Sequence, residues 1–298
     1  MPDNYQKLLI MRLDGRRRSG NVDDRRGISG RTVGIGGGII GVIVVGLLTL
    51  FQGGSIGDVI SNVVGNAAAT RQTSSYTETE EDRQLAEFAS VILAGTEDVW
   101  TRIFREQGWG EYQPPKMVLF HGAVQSACGH ATAQVGPFYC SADRTVYLDL
   151  DFLKNMQQDI GGSGDFAYAY VIAHEVGHHV QNLLGTLGEA HGKMASLSEA
   201  EANRISVRLE LQADYYAGVW GCTDNKMFAS LEDGDIEEAL DVASKIGDDY
   251  LQKKAYGREM PESFNHGRAE WRVRWLKKGL TTCSPAGGDT FSVPYSDL

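Results

Sequence analysis

The stretch "VIAHEVGHHVQ", Val171 to Gln181, sets His174, Glu175, His178 and His179 almost side by side. On a helix, residues four apart stand one turn apart on one face, so the imidazoles of His174 and His178 can share one cation. Glu175 is then within reach of a water at the cation's open position without itself being a ligand. This is the HExxH arrangement, in which zinc lowers the pKa of the water and the glutamate takes its proton as general base. His179 lies about 100° further round the helix. It is expected to miss the ion and to serve as a surface or supporting group.

A third ligand decides between a metal site and a polar helix face. The longer HExxHxxGxxH pattern fails, because Gln181 and Leu184 stand where it needs Gly and His. Downstream, "RLELQADYYAGVWG" carries Glu210 and Asp214 one helical turn apart. Glu210 can complete a His2Glu set with water in the fourth place. Asp214 can accept the outer N–H of a ligating histidine and fix its tautomer. A solvated acidic face is the competing reading, but the run "YYAGVW" after Asp214 suits such a face poorly. Two imidazoles and a carboxylate favour one Zn2+ ion. Candidate donors to a developing oxyanion are His266, Tyr215, Tyr216 and Tyr147. For His266 the alternative is a histidine at a helix start packed on Trp271 and Trp275. Trp220, Trp271 and Trp275 are expected in the core.

These side chains need elements to hold them. Leu85, Phe88, Ile92, Val99, Ile103 and Phe104 recur at helical spacing before Gly108. "KMVLF" (Lys116–Phe120), "PFYC" (Pro137–Cys140) and "RTVYLDLDF" (Arg144–Phe152) read as short strands of a small, mostly antiparallel sheet. The last of them is either an edge along which a peptide lies or an interior strand. Helices are expected over 166–184, 198–218, 235–246 and 266–278. The fold class is α+β, with the sheet packed on the HExxH helix and further helices C-terminal to it.

The chain has 298 residues and a formal charge of -11. Eight of its 28 Lys/Arg fall in residues 1–31 beside four of its 39 Asp/Glu, so the rest is strongly acidic. An acidic body repels phosphate backbones, and no nucleic-acid partner is expected. Val33–Phe51 carries no charge and is about long enough to cross a bilayer core. Arginines precede it, which by the positive-inside rule leaves residues 1–31 as a basic cytoplasmic tail. Residues 32–51 are then a single-pass anchor in the bacterial inner membrane. Residues 52–82 would be a flexible linker and 83–298 a periplasmic or extracellular domain. A cleaved signal peptide and a buried soluble helix are the competing readings. The Gly34/Gly38 and Gly37/Gly41 pairs allow a homo-oligomer through the anchor. Cys128, Cys140, Cys222 and Cys283 all follow the anchor, where an even count points to disulfides. Three pairings exist; Cys128–Cys140 with Cys222–Cys283 is favoured.

The runs "HEVGHHVQ", "ELQADYYAGVW", "ALDVASKIGDDYLQ" and "SFNHGRAEWRVRWLKKG", with the opening "MRLDGRRRSGNVDDRRG", resemble the bacterial neutral zinc metallopeptidases over nearly the whole chain. The metal motifs are similar to those of gluzincins, where a Glu after the HExxH helix is third ligand and ExxxD puts an Asp behind a histidine. The resemblance implies a zincin fold, with an edge strand over the cleft, the HExxH helix beneath it and another helix bearing the third ligand. It also makes "HG" before the last helix part of the pattern, which names His266 as a transition-state stabiliser. The expected function is a membrane-anchored zinc peptidase acting on proteins or peptides. The alternatives are a non-catalytic, zinc-stabilised envelope interaction domain and a zinc amidase of cell-wall peptides.

Overall fold

The computed structural model describes residues 11–27, 76–132 and 136–298. The expected anchor and most of the expected linker lie outside the described residues. Among the described residues no helix is long and apolar enough to cross a membrane.

The fold is α+β, as expected, with eight α-helices and two small sheets among the described residues. Strand β1 (Val22–Asp24) comes first, followed by helix α1 (Glu80–Gln107). A capping box starts α1: Thr79 accepts from the Asp82 N–H and the Asp82 side chain accepts from the Thr79 N–H. Gly108, at φ 69°, ends it in the left-handed conformation that glycine takes without steric cost. Strands β2 (Lys116–Phe120), β3 (Ala123–Ser126), β4 (Gly129–Thr132), β5 (Phe138–Cys140) and β6 (Thr145–Asp149) follow. The remaining helices are α2 (Leu150–Asp159), α3 (Asp165–Leu183), α4 (Thr186–Met194), α5 (Glu199–Phe228), α6 (Asp235–Lys245), α7 (Asp248–Tyr256) and α8 (Ala269–Thr282).

The main sheet has the order β1-β2-β6-β5, and here the expectation of a mostly antiparallel sheet is corrected. β1 and β6 both run parallel to β2, and only β5 is antiparallel to its neighbour. The chain between β2 and β6 folds into the β3–β4 hairpin and then β5, a crossover long enough to return β6 in the parallel sense. β6 is therefore an interior strand, and β1 and β5 are the edges. β6 is also shorter than expected: Asp149 caps α2, its side chain accepting from the Asp151 N–H, so Leu150–Phe152 are helical. All five residues of β6 are buried. Val146 and Leu148 join Met117 and Leu119 in the main core under the helices. Tyr147 faces the other way, with Val118 and Phe120 beneath the β3–β4 hairpin. Two buried faces are what an interior strand shows, and alternation alone does not reveal them.

Residues 11–27, expected as a separate tail, run along the domain. β1 pairs with β2 in the register Val22↔Met117 to Asp24↔Leu119, and Met11 is buried in the main core. The described end of the expected linker also belongs to the fold, since Glu80–Asp82 form the first turn of α1. Both favoured disulfides are formed, Cys128–Cys140 and Cys222–Cys283, at Cα separations of 5.8 and 5.4 Å.

Candidate metal centre

The helix α3 bears the HExxH residues and is buried from Asp165 to Gln181, His178 excepted. Helix α5 crosses it closely because position 177 is glycine. A methyl there would stand 3.0 Å from the Ala213 carbonyl oxygen and 3.1 Å from its Cα. That approach brings Glu210, one turn before Asp214, up to the two histidines. His174 Nε2 lies 3.2 Å from Glu210 Oε2, and His178 Nε2 lies 3.3 Å from Glu210 Oε1. One ligand atom from each of the three residues falls within 4.8 Å of the others.

The other ring nitrogens are already claimed. His174 Nδ1 is 2.8 Å from Asp214 Oδ1, which also accepts from the Tyr170 hydroxyl at 2.6 Å. Arg272 on α8 clamps the same carboxylate through two bonds, Nε to Oδ2 at 2.8 Å and Nη2 to Oδ1 at 2.9 Å. His178 Nδ1 is 2.9 Å from Gln181 Oε1. The Gln181 amide nitrogen donates to the Leu209 carbonyl at 2.7 Å and to Gln212 Oε1 at 3.1 Å, so its oxygen is the end that faces the ring. With both Nδ1 atoms committed, both Nε2 atoms are left for a cation.

These distances fit a zinc ion. Ligand atoms each about 2.0–2.1 Å from one ion at tetrahedral angles stand about 3.3 Å apart, the separation seen between each imidazole and Glu210. Burial alone would depress the His174 imidazole, but Asp214 and Glu210 outweigh it and raise its pKa to about 10. Burial likewise pushes Glu210 up, while both histidines hold its carboxyl well below the usual range. The pocket thus favours positive charge between its donors. Burial raises the pKa of Glu175, the direction that makes a carboxylate a better proton acceptor near neutrality.

The remaining sequence candidates are placed as follows. His266 lies before α8, its backbone N–H donating to Asp248 Oδ2 at 2.7 Å and its Nδ1 3.4 Å from Asp248 Oδ1. Burial would lower its pKa, yet Asp248 and the charge of Glu210 raise it, which puts its ring in the field of the third ligand. Of the two tryptophans, Trp271 packs edge-on against Tyr295, and Trp275 donates to the Leu298 carbonyl. The three tyrosines do not converge on the centre. Tyr147 donates to Asp143, Tyr215 to the Ser284 carbonyl, and Tyr216 packs edge-on against Trp100. Trp220 and Trp275 are buried in the core, and Trp271 packs against it.

His179 stands outside the His174–His178–Glu210 cluster, as expected, but it is not a surface group, which corrects that one of the two readings. It is fully buried, because α3 is covered on nearly every side. Its Nε2 donates to the Gln113 carbonyl at 2.7 Å, and its Nδ1 meets the Tyr139 hydroxyl at 2.9 Å. Burial lowers its pKa to about 4, so the ring is neutral and pins β5 to α3. Sequence reasoning missed Tyr170, Gln181 and Arg272. Tyr170 is four residues before His174 and Gln181 three after His178, spacings that place them beside the ligands on α3. Arg272 carries no such signal. It reaches Asp214 only because Gly218 and Gly279 let α5 and α8 touch backbone to backbone: a methyl on Gly279 would lie 2.1 Å from the Tyr215 carbonyl oxygen.

Comparison with known proteins agrees with this geometry. A family profile described as "Putative neutral zinc metallopeptidase" matches residues 11–291. The chain is similar to the Escherichia coli (strain K12) protein named "Uncharacterized protein YpfJ", 43% identical over 290 residues, or 94% of this chain and 99% of that relative. It is also similar to "Uncharacterized protein Rv2575" of Mycobacterium tuberculosis and "Uncharacterized protein Mb2605" of Mycobacterium bovis. Each is 44% identical over 191 residues, covering 61% of this chain and 64% of the relative. No solved structure matches the chain.

Proposed function

The chain belongs to the neutral zinc metallopeptidase family, and from that premise we propose that it hydrolyses peptide bonds in proteins or peptides. The observation that carries this reading is the convergence of His174, His178 and Glu210 with Glu175 beside them and both outer imidazole nitrogens committed elsewhere. Zinc, when bound by these three residues, supplies a Lewis acid that makes water nucleophilic near neutral pH.

The chain's own residues do the rest. Asp214, clamped by Arg272 and Tyr170, keeps His174 in the tautomer that presents Nε2, and Gln181 does the same for His178. Glu175 accepts the proton of the attacking water and delivers it to the leaving amine. His266 is the proposed donor to the developing oxyanion. An extended substrate lies along β5, the antiparallel edge strand held over α3 by the Tyr139–His179 contact. Strand β6, the other candidate, has neighbours on both sides. We further propose that the protein is attached to the bacterial cell membrane through Val33–Phe51, with the domain facing an oxidising compartment. Two disulfides joining all four cysteines support that placement.

The test is Glu175→Gln in the full-length protein. Zinc content by mass spectrometry should stay at the wild-type value while cleavage of an unfolded protein falls by about 10²–10⁴-fold. Undiminished cleavage would refute the mechanism. Binding of a client without cleavage in either form would favour the interaction-domain reading, and cleavage of cell-wall fragments alone would favour the amidase.

A further inference from the structure

Met11–Gly27 precedes the apolar run in sequence, yet it is built into the domain that follows that run. β1 is a strand of the main sheet, flanked by bonds from the Met117 N–H to the Asn21 carbonyl and from the Arg25 N–H to the Leu119 carbonyl. Met11 is buried, and its N–H donates to Asp165 at the start of α3. The Arg16 guanidinium grips Asp224 on α5 through two bonds of 2.8 and 2.6 Å, with 10% and 1% of the two side chains exposed. Ser19 and Asn21 both donate to Glu97 on α1, at 2.5 and 2.8 Å. A strand, a buried apolar side chain and a buried ion pair together make the segment a structural part of the domain.

Gly27 and Tyr76, the ends of two successive described segments, also lie side by side. A Cβ at Gly27 would lie 3.9 Å from the Tyr76 ring. Next to it, Arg26 donates to the Asp82 carbonyl at 2.9 Å and to Glu78 at 2.9 Å. A chain that crosses a bilayer once emerges about 30 Å from where it entered. Two points in van der Waals contact cannot stand on opposite faces.

We propose that residues 11–27 and the domain from Tyr76 onward lie on the same, oxidising side of the membrane. The inference rests on the membrane-attachment reading above. It replaces the orientation drawn from the arginines, because their charges have carboxylate partners in the fold. Arg16 pairs with Asp224, Arg17 with Glu97 and Asp98, Arg18 with Glu87, and Arg26 with Asp24 and Glu78. Charges matched in this way serve the domain's stability, so their number does not report a cytoplasmic location.

The test uses the full-length protein in cells stripped of any outer membrane. Asp14→Cys and Glu262→Cys place single thiols at exposed positions of the two segments, and all four native cysteines are already in disulfides. In the membrane fraction, an impermeant maleimide should label both to the same extent before and after lysis. Labelling of Glu262→Cys before lysis and of Asp14→Cys only after it would overturn the proposal. Labelling of both only after lysis would overturn the outward placement. Recovery of the protein in the soluble fraction would instead sink the membrane reading, an outcome that fractionation shows separately from the labelling.

Discussion

Among the described residues, two clusters bring histidine and carboxylate groups within 4.8 Å of one another, two histidines with Glu210 in one and His121 with Asp149 and Asp151 in the other, and they are built in opposite ways. At the metal centre, His174 and His178 give their outer nitrogens to Asp214 and Gln181, and their inner nitrogens turn toward Glu210. Around His121, at the end of β2, most polar atoms are spent locally, although His121 Nε2 is buried without a hydrogen-bond partner, 3.4 Å from Asp82 Oδ1. His121 Nδ1 is bonded to Asp151 at 2.9 Å, and Asp149 accepts from the backbone N–H groups of Asp151 and Gly122. Nearby Asp82 is neutralised by Lys154. Residue types and proximity are alike in the two places. What differs is how many lone pairs are left over and aimed at a common point, two imidazole nitrogens on one carboxylate against a single unpartnered nitrogen beside a carboxylate held by lysine.

The comparison makes predictions, and the largest concern the metal itself. His178→Ala or Glu210→Ala should strip zinc from the purified protein and abolish cleavage, whereas His121→Ala should leave metal content unchanged by mass spectrometry. Loss of an ion in the His121 variant would break the contrast. Next comes Arg272→Met, which leaves Asp214 as a buried charge without its clamp. Breaking such a pair typically costs about 3–5 kcal/mol, to be read from the urea midpoint of the variant.

Gln181→Leu should be milder. It frees the His178 ring to turn and should weaken zinc affinity about 10–100-fold, as measured by competition with a chelator. The smallest effect belongs to Asp149. Its pKa is raised to about 6, first by burial and then by the charge of Asp151. The folded state therefore holds this proton more tightly than the unfolded chain, and stability falls as pH rises from about 4 to 6. Asp149→Asn keeps an acceptor for capping α2 and should flatten that fall. The expected gain above pH 6 is on the order of 1–2 kcal/mol, with cleavage unchanged.

Some of this was legible in the residues because it depends on short-range geometry. HExxH and ExxxD are single-turn relations, so helical spacing alone puts each pair on one face. The helices themselves follow from apolar periodicity, and the disulfide pairing followed from where the cysteines stood. The main sheet was less legible. "RTVYLDLDF" reads as an alternating strand through Phe152, but Asp149 turns the chain into α2. Whether a strand is interior or edge depends on which strands flank it, and β1 comes from the far side of a long insertion. His179 went astray for a related reason: its angle on the helix was right, but the Gln113 and Tyr139 groups that cover that face are remote in sequence.

By itself the sequence determined the types of the candidate ligands, their spacing on two helices and the carboxylate beside them, because a helix converts residue number into direction. Tertiary structure alone decided that the two helices meet at Gly177, that Arg272 stands behind Asp214, and that β5 is an edge strand. It also decided that the first described residues belong to the domain rather than to a separate tail. Each of these is a contact between segments far apart in the chain. Such contacts are selected by close packing and charge matching in three dimensions, and neither leaves a periodic trace in the local sequence.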